Sequence, residues 1–327
     1  MFQKIRLSQF LFALAACALL TLPGGRARAA YPDHIIKIVV PFAPGGGTDV
    51  VARTLAQEMA RDLGVSVIIE NKPGAGTIIG TQTVATAEGD GYTLLMGTFA
   101  NAVNPSLYAK LPYDQHRDLA AVALVARSFS IVVVNPKSSI KSIKDLIAAA
   151  KAEPDKLSYG TYGTGTSAHL AGELFKHMAN LNLTTVPYKG SAPAITDLIG
   201  GQIQVMFTTV ASAASLIEGG QLRALAVTSA ERSPAFPNLP TVAEAGVPGY
   251  DAEAWYGLFA PAKTPPEIIA RLNKAAASAV KADAFKKLSV NEGLMLVASP
   301  PAELDNYFRE EEDRWRKVIQ DAGIKAD

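Results

Sequence analysis

The sequence predicts an α/β protein made of two lobes, and three observations lead to that expectation. Apolar segments with strand character alternate with amphipathic segments of helical spacing along most of the chain. Residues 131–252 carry a complete alternating set of their own. Beyond about residue 260 the chain is mostly helical, so the first and last parts must combine into the other lobe. Two lobes joined by crossing strands leave a cleft, which is a favoured place for a ligand.

Each predicted element follows from a local pattern of apolar spacing and of bounding residues. Because strands that alternate with helices pair in parallel, we expect parallel βα units. The predicted strands span 35–40, 65–70, 92–96, 131–134, 157–160, 185–188, 205–207, 222–228 and 255–260. The predicted helices span 48–63, 143–152, 168–179, 192–199, 266–281 and 301–322. We therefore predict a first lobe of residues 30–130 plus 253–327 and a second lobe of residues 131–252.

Composition excludes several classes of protein. The chain has 327 residues, of which 49% are hydrophobic and 19% charged, so it can bury a sizeable core and is not disordered. Its 31 basic and 30 acidic residues contain no basic run, so no nucleic-acid partner is expected. With a single cysteine, neither a disulfide framework nor a cysteine-based zinc site is possible.

The first 29 residues have the parts of a cleaved secretory signal peptide. Lys4 and Arg6 provide the positive start, residues 10–22 are apolar apart from Thr21, and Ala27 to Ala30 form an A-x-A site. The alternative is a membrane anchor, but as a helix the apolar run covers only about 20 Å of a roughly 30 Å hydrocarbon core. We predict cleavage after Ala29 or Ala30 and therefore a periplasmic protein.

The leader also contains the only cysteine. Residues 14–17 read Leu-Ala-Ala-Cys, which resembles a lipoprotein box and leaves acylation of Cys17 as an alternative. Segment 1–29 contains four basic residues and no acid, so the mature chain would have 27 basic against 30 acidic residues, a net charge of −3. Global charge therefore does not attract an anionic ligand.

Two glycine-rich loops repeat one plan, in which a strand leads through glycines into a helix. The first covers residues 39–49 and the second residues 157–169. Glycine allows a ligand to approach the backbone, and a helix start offers free N–H groups that together make an anion site. For either loop alone an ordinary capped βα turn is the favoured interpretation, but two such loops, one in each predicted lobe, favour binding. Neither matches a phosphate-loop or dinucleotide pattern, so a carboxylate fits better.

Few residues in this sequence are suited to catalysis or to metal binding. His169, Glu173 and His177 lie on one predicted helix face, but its two histidines are roughly 12 Å apart, too far for one ion. No H-E-x-x-H or G-x-S-x-G motif occurs. We expect no enzyme, no metal and no cofactor. Aromatic residues at predicted strand ends are candidates for walls of the cleft: Phe42, Phe99, Tyr162, Tyr188, Trp255 and Tyr256.

Several motifs in order carry a family resemblance: Tyr31-Pro32, PFAPGGGTD at 41–49, Asn71 to Gly76, Tyr159 to Leu170, Pro187 to Gly190, LRALAVTS at 222–229 and PTVAEAGVPGY at 240–250. In these the mature chain resembles the periplasmic solute-binding proteins of the tripartite tricarboxylate transporter family, also called Bug (Bordetella uptake) proteins. The resemblance implies a type II periplasmic-binding ("Venus flytrap") fold. It also implies a monomer that carries a small carboxylate to a two-component membrane permease.

The resemblance assigns ligand-binding residues to both loops. In the first lobe they are Phe42, Ala43, Gly45, Gly46, Gly47 and Asp49, with Thr98, Phe99 and Asn101 as additional contributors. In the second lobe they are Tyr162, Gly163, Gly165, Thr166, Ser167 and His169.

One departure from the family pattern concerns the ligand. Family members often have aspartates where this chain has Gln204 and Thr208. If Thr208 faces the cleft, the site loses a negative charge, and we hypothesise a di- or aromatic carboxylate without an ammonium group.

Two other functions stay open at this stage. The chain could present its ligand to a membrane sensor kinase, or it could be an enzyme on the same fold with His169 as its base.

Overall fold

The computed structural model describes residues 31–163, 165–188, 190–233 and 235–324, with Ala211 described by its backbone only. The predicted signal peptide, its cleavage site and Cys17 lie outside the described residues. The chain divides between Asp33 and His34 into two units, and the description below concerns the second. None of the described helices is both long enough and apolar enough to cross a membrane.

Ten strands among the described residues form one mixed sheet. They are β1 (Ile36–Val40), β2 (Val67–Asn71), β3 (Thr93–Thr98), β4 (Leu119–Val134), β5 (Ser158–Thr161), β6 (Thr184–Pro187), β7 (Val205–Thr209), β8 (Arg223–Val227), β9 (Glu253–Pro261) and β10 (Leu294–Leu296). The order is β2-β1-β3-β9-β4-β7-β5-β6, while β8 and β10 also pair with β4. Pairing is parallel within β2-β1-β3 and within β7-β5-β6, as the alternation predicts, and antiparallel wherever β4 or β9 takes part.

Eleven α-helices connect these strands within the described part of the chain. They are α1 (Gly47–Leu63), α2 (Ile78–Ala85), α3 (Phe99–Leu107), α4 (Gln115–Asp118), α5 (Ile143–Ala152), α6 (Ser167–Ala179), α7 (Ser191–Gly200), α8 (Val210–Glu218), α9 (Pro266–Val280), α10 (Asp283–Glu292) and α11 (Pro301–Asp321). A 3-10 turn at Ala75–Thr77 precedes α2. All six predicted helices are present, with ends that differ by one residue at most.

Strand β4 is sixteen residues long, whereas the sequence predicted only its last four. Its first part, up to Phe129, pairs with β9, and its last part, from Ser130, pairs with β7 and β8. The prediction was wrong because residues 119–126 are rich in alanine, which has a low preference for strands. Flanking strands on both sides determine the extended conformation of this segment.

The sequence prediction also missed helix α3. This helix contains Pro105 and two asparagines, which are poor residues for a helix interior. Tertiary hydrogen bonds stabilise it instead. The Asn101 amide donates to Thr81 Oγ1 at 2.8 Å, and the Asn104 amide donates to the Gly76 carbonyl at 2.8 Å. No local periodicity could have indicated these partners, because they lie 20 to 28 residues earlier in the chain.

The two faces of the sheet bury different apolar clusters. Val132 and Val134 of β4 belong to one cluster, and Ile131 and Val133 belong to the other. Helix α11 covers the first cluster, where Trp315 packs edge-on against Phe99 with ring centroids 4.8 Å apart. Because β4 and β7 pair without a register shift, the alternation along β4 tells which face of the sheet a side chain on β7 occupies.

Glu253, the first residue of β9, is a buried carboxylate beside the crossing strands. Arg127 of β4 approaches it, with Nη1 and Oε2 3.5 Å apart. Burial raises the pKa of Glu253 to about 7, with Asp251 and Glu311 adding to the rise and Arg127 and Arg314 opposing it. The folded protein therefore holds this proton over a pH range in which the unfolded chain has released it.

We expect Glu253 to make the fold less stable as pH rises. Its pKa is 4.5 when unperturbed and about 7 in the folded protein, so its contribution falls by about 3 kcal/mol between these values. Denaturant unfolding at pH 5 and pH 8 measures the loss. Glu253→Gln should reduce it, while the exposed Glu303→Gln should not. An equal loss in wild type and Glu253→Gln would contradict this assignment.

Candidate functional site

The starts of several helices meet at the carboxyl ends of the parallel strands. In the first part of the sheet, β1 leads into α1 and β3 leads directly into α3. In the second part, β5, β6 and β7 lead into α6, α7 and α8. In open α/β sheets ligands bind at this edge, because loops there are free to contact them and helix starts carry partial positive charge. The two glycine-rich loops both lie at such ends.

The first loop leaves backbone groups open at the start of α1. Gly45 has φ +90°, a conformation that side chains rarely adopt, and it leads into Gly46 as the N-cap of α1. Neither glycine has any atom within 4 Å of the place where a Cβ would stand. Both are exposed. A ligand can therefore approach the backbone N–H groups at this helix start closely.

Asp49 holds the first loop in shape. Its carboxylate accepts hydrogen bonds from Gly45 N at 3.0 Å, Arg53 Nε at 2.8 Å and Asn71 Nδ2 at 2.8 Å. Asn71 also donates to the Phe42 carbonyl at 3.1 Å. Burial alone would raise the pKa of Asp49, but the bonds from Arg53, Gly45 and Asn71 outweigh it and lower the pKa. Asp49 is thus ionised, buried and fully hydrogen-bonded within the protein.

His169 and Thr166 hold the second loop in a similar way. Thr166 caps α6: its hydroxyl accepts from His169 N at 3.4 Å and donates to the Gly163 carbonyl at 2.7 Å. Gly165 N donates to His169 Nδ1 at 3.3 Å. Gly163 and Gly165 both have positive φ, at 132° and 76°. The buried imidazole therefore supports the loop from behind and is not placed as a base.

Tyr162 and Tyr256 bring the two loops together. The Tyr162 hydroxyl lies 3.2 Å from Ser167 Oγ at the start of α6. The Tyr256 hydroxyl lies 3.2 Å from the place where a Cβ on Gly47, the first residue of α1, would stand. Burial raises the pKa of both tyrosines, and the nearby Tyr162 raises that of Tyr256 further. Both hydroxyls therefore stay protonated at neutral pH and can donate hydrogen bonds.

Backbone pairing explains this proximity. Tyr256 lies in β9, which is inserted between β3 and β4, and it pairs with Thr98 on one side and with Ala126 on the other. Thr98 is the last residue of β3 and the N-cap of α3. The second loop also reaches α3, since a Cβ on Gly165 would stand 3.2 Å from Leu107 Cδ1.

The structure places the sixteen predicted site residues in three groups. Exposed or half-buried residues of the loops are Phe42, Ala43, Gly45, Gly46, Gly47, Tyr162, Gly163, Thr166 and Ser167. Buried residues that pack or hydrogen-bond behind the loops are Asp49, Thr98, Phe99, Asn101, Gly165 and His169. Thr208 stands apart from both groups.

Thr208 of β7 is buried on the same face of the sheet as Ile131 and Met206. It pairs with Ile131 and is fully buried, so it points toward the cluster of Ile131 and Met206. Ser130, whose hydroxyl lowers the pKa of Tyr162 by hydrogen bonding, points to the opposite side. Because the Thr208 side chain is fully buried, its replacement of an acid gives no reason to exclude a ligand with an ammonium group. We leave Thr208 out of the proposed site.

Some residues near the tyrosines were not among the predicted site residues. The sequence indicates Tyr256 only as a possible wall of the cleft and gives no signal for Ser128, Ser130 or Glu292. Ser128 lowers the pKa of Tyr256 by hydrogen bonding, and Glu292 raises it by its charge. Glu292 ends α10, a helix that the sequence analysis did not predict. No local motif marks these residues, because strand pairing and helix packing bring them to the loops.

The stripe of His169, Glu173 and His177 has a structural role. The Glu173 carboxylate accepts from Lys176 Nζ at 3.0 Å, from Thr185 Oγ1 at 2.8 Å and from the Tyr159 hydroxyl. It therefore ties α6 to β5 and β6. Within the ranges that the structure describes, no group of three His, Cys, Asp or Glu residues could hold a metal ion.

The fold and the paired loops define a two-lobed α/β solute-binding protein. The model of the "Tripartite tricarboxylate transporter family receptor" matches residues 51–324, and the chain belongs to this family. It is therefore a binding receptor of the periplasmic type and not an enzyme.

Several relatives are similar to this chain over nearly its whole length. BugT of Bordetella pertussis is 37% identical and the match covers 90% of this chain and 91% of BugT. A solved R. palustris protein with adipate is 36% identical, with a TM-score of 0.84 over 90% of this chain and 99% of that one. MatC from Rhodopseudomonas palustris with bound malate is 32% identical, with a TM-score of 0.80 over 88% and 100%.

We expect Asp49→Asn to loosen the first loop. The change removes the charge that pairs with Arg53 and weakens the bond to Gly45 N, at a cost of about 1–2 kcal/mol. Hydrogen exchange at the Gly45 amide should become faster, and denaturant unfolding should show the loss of stability.

Glu58→Gln is the matched control for this variant. It removes a similarly buried carboxylate that pairs with Arg61 at the other end of the same helix. It should leave exchange at Gly45 unchanged. Equal exchange at Gly45 in wild type and Asp49→Asn would show that Asp49 does not hold the loop.

Proposed function

We propose that this chain captures a small carboxylate between its two glycine-rich loops and delivers it to a two-component permease of the tripartite tricarboxylate type. The observation that carries the proposal is the meeting of two helix starts, α1 and α6, through Tyr256 and Tyr162. We further propose that it acts in the periplasm as a monomer after removal of residues 1–29.

The site binds an anion by hydrogen bonds rather than by ion pairs. The open N–H groups at the start of α1, the Ser167 hydroxyl and the two protonated tyrosine hydroxyls are all neutral donors. Arg53 of α1, which follows the first loop, is already paired with Asp49, and Lys37, which precedes the loop, is paired with Glu70. Helix starts and backbone N–H groups stabilise a carboxylate without a fixed counter-ion. These neutral donors attract the carboxylate at short range. They can therefore bind it even though the protein as a whole carries a net negative charge.

A dicarboxylate is the ligand class that the arrangement favours, with an aromatic carboxylate as the second class to test. Each helix start can hold one carboxylate: Tyr256 lies beside the start of α1, and Tyr162 lies beside the start of α6. Relatives solved with adipate and with malate support this choice. We propose that residues 30–130 plus 253–327 and residues 131–252 close on the ligand as two lobes about β4 and β9. The closed form would then be what the permease recognises.

A thermal-shift screen of di- and aromatic carboxylates tests the proposed function directly. A ligand that binds only the folded protein stabilises it by about 2.7 kcal/mol at a hundred times its dissociation constant. Mass spectrometry of small molecules that co-purify with the native protein provides an independent identification. If no carboxylate of either class raises the melting temperature or co-purifies, the proposal is wrong.

Gly46→Val should abolish ligand binding and leave the fold intact. No atom lies within 4 Å of the Cβ position, and Gly46 has a φ of −85°, so the fold accepts a side chain there. The valine would occupy the space through which a carboxylate reaches the start of α1. We expect a melting temperature within a few degrees of wild type and no ligand-induced shift.

Gly200→Val provides the matched control. Gly200 is exposed at the end of α7, and the nearest atom to its Cβ position is Gln202 Cγ at 4.0 Å. This variant should keep the full ligand-induced shift. Wild-type affinity in Gly46→Val would remove the first loop from the site.

A further inference from the structure

A carboxylate that no motif indicates borders the same site. The Glu292 Oε2 lies 4.0 Å from the place where a Cβ on Gly47 would stand, and the Tyr256 hydroxyl lies 3.2 Å from it. The charge of Glu292 also contributes to the raised pKa of Tyr256. Glu292, Tyr256 and the first turn of α1 therefore share one small region, although they come from three distant parts of the chain.

The backbone determines where Glu292 stands. The next residue, Gly293, ends α10 with φ +63°. A Cβ on Gly293 would overlap Val210 at the start of α8 and would stand 3.1 Å from Phe129 Cζ of β4. The end of α10 is thus pressed against both β4 and α8, close to the point where β4 passes from one part of the sheet to the other. Packing of the end of α10 holds Glu292 in place. Within the described residues, no hydrogen bond or ion pair of its side chain does so.

The Glu292 carboxylate has no hydrogen bond or ion pair with any residue of the described ranges. This distinguishes it from Asp49, which accepts three hydrogen bonds. Glu292 is half-buried, and burial raises its pKa. A partly desolvated carboxylate without a donor is costly, so a donor supplied by a bound molecule would be favourable there.

We propose that Glu292 is a specificity-determining residue that accepts a hydrogen bond from the ligand. This inference rests on the proposed function. The carboxylate held at the start of α1 must then carry a hydrogen-bond donor, a hydroxyl or an ammonium group, on a neighbouring carbon. A plain carboxylate would place its negative charge near that of Glu292 and gain no bond in return. Hydroxy- or amino-substituted carboxylates are therefore the preferred class.

Isothermal titration with matched ligand series tests the inference. Succinate, malate and aspartate share one carbon skeleton and differ only by hydrogen, hydroxyl or ammonium on the carbon next to a carboxylate. Phenylacetate, mandelate and phenylglycine form the corresponding aromatic series. In at least one series, we expect wild-type protein to bind a substituted member about tenfold or more tightly than the plain one, as for hydrogen bonds to charged groups. The substituted member that binds more tightly shows whether the donor is a hydroxyl or an ammonium group.

Glu292→Gln and Glu292→Ala show whether this residue causes the preference. In both variants the advantage of the substituted member should shrink severalfold, and the plain member should bind more tightly than in wild type. Asp283→Asn is the control, because it removes an exposed carboxylate from the first turn of the same helix. This control should keep the wild-type order of affinities.

The outcomes separate the inference from the proposed function. If carboxylates bind but the plain members bind as tightly as the substituted ones, the inference is overturned and the proposed function stands. A preference that survives unchanged in both Glu292 variants also overturns it. If no member of either series binds but another, unsubstituted carboxylate binds in the thermal-shift screen, the inference is overturned and the proposed function stands. If no carboxylate binds in that screen, the proposed function fails and the inference fails with it.

Discussion

The antiparallel pairing of β4 with β9 is the constraint on which the rest of the structure depends. β4 is one continuous strand whose first part pairs with β9 and whose last part pairs with β7 and β8. β9 in turn lies between β3 and β4. The two parallel sets of strands are therefore joined through these strands in one sheet. Because Tyr256 lies in β9 and Ser130 in β4, the pairing also brings donors from both to the loops.

Buried side chains and exposed backbone groups have different roles at the site: the former support the loops, and the latter are available to a ligand. Asp49 and His169 are hydrogen-bonded within the protein and hold the two loops from behind. Gly46, by contrast, leaves its backbone open for a ligand. Polar residues in ligand-binding loops are thus not all ligand contacts, and here the most strongly bonded ones are supports. Specificity depends on the few side chains that lie between the loops.

Two carboxylates near the crossing strands show how local environment determines a role. Glu253 is buried beside Arg127, and burial raises its pKa despite that partner, so its titration affects stability. Glu292 is half-buried without a partner in the described chain, close to the start of α1. The same side chain is a structural group in one place and a feature of the ligand site in the other. Burial alone would not distinguish the two.

The sequence by itself determined the class of fold, the two glycine-rich loops and helices such as α5, because their signals are local. Ser142, for example, caps α5 by accepting from Asp145 N at 3.1 Å, and apolar spacing indicates the rest of that helix. Only the tertiary structure decided that residues 119–130 belong to β4, that Thr208 is fully buried, and that Tyr256 and Glu292 meet α1. These facts depend on pairing and packing between segments that are far apart in the chain, and no local pattern records such contacts.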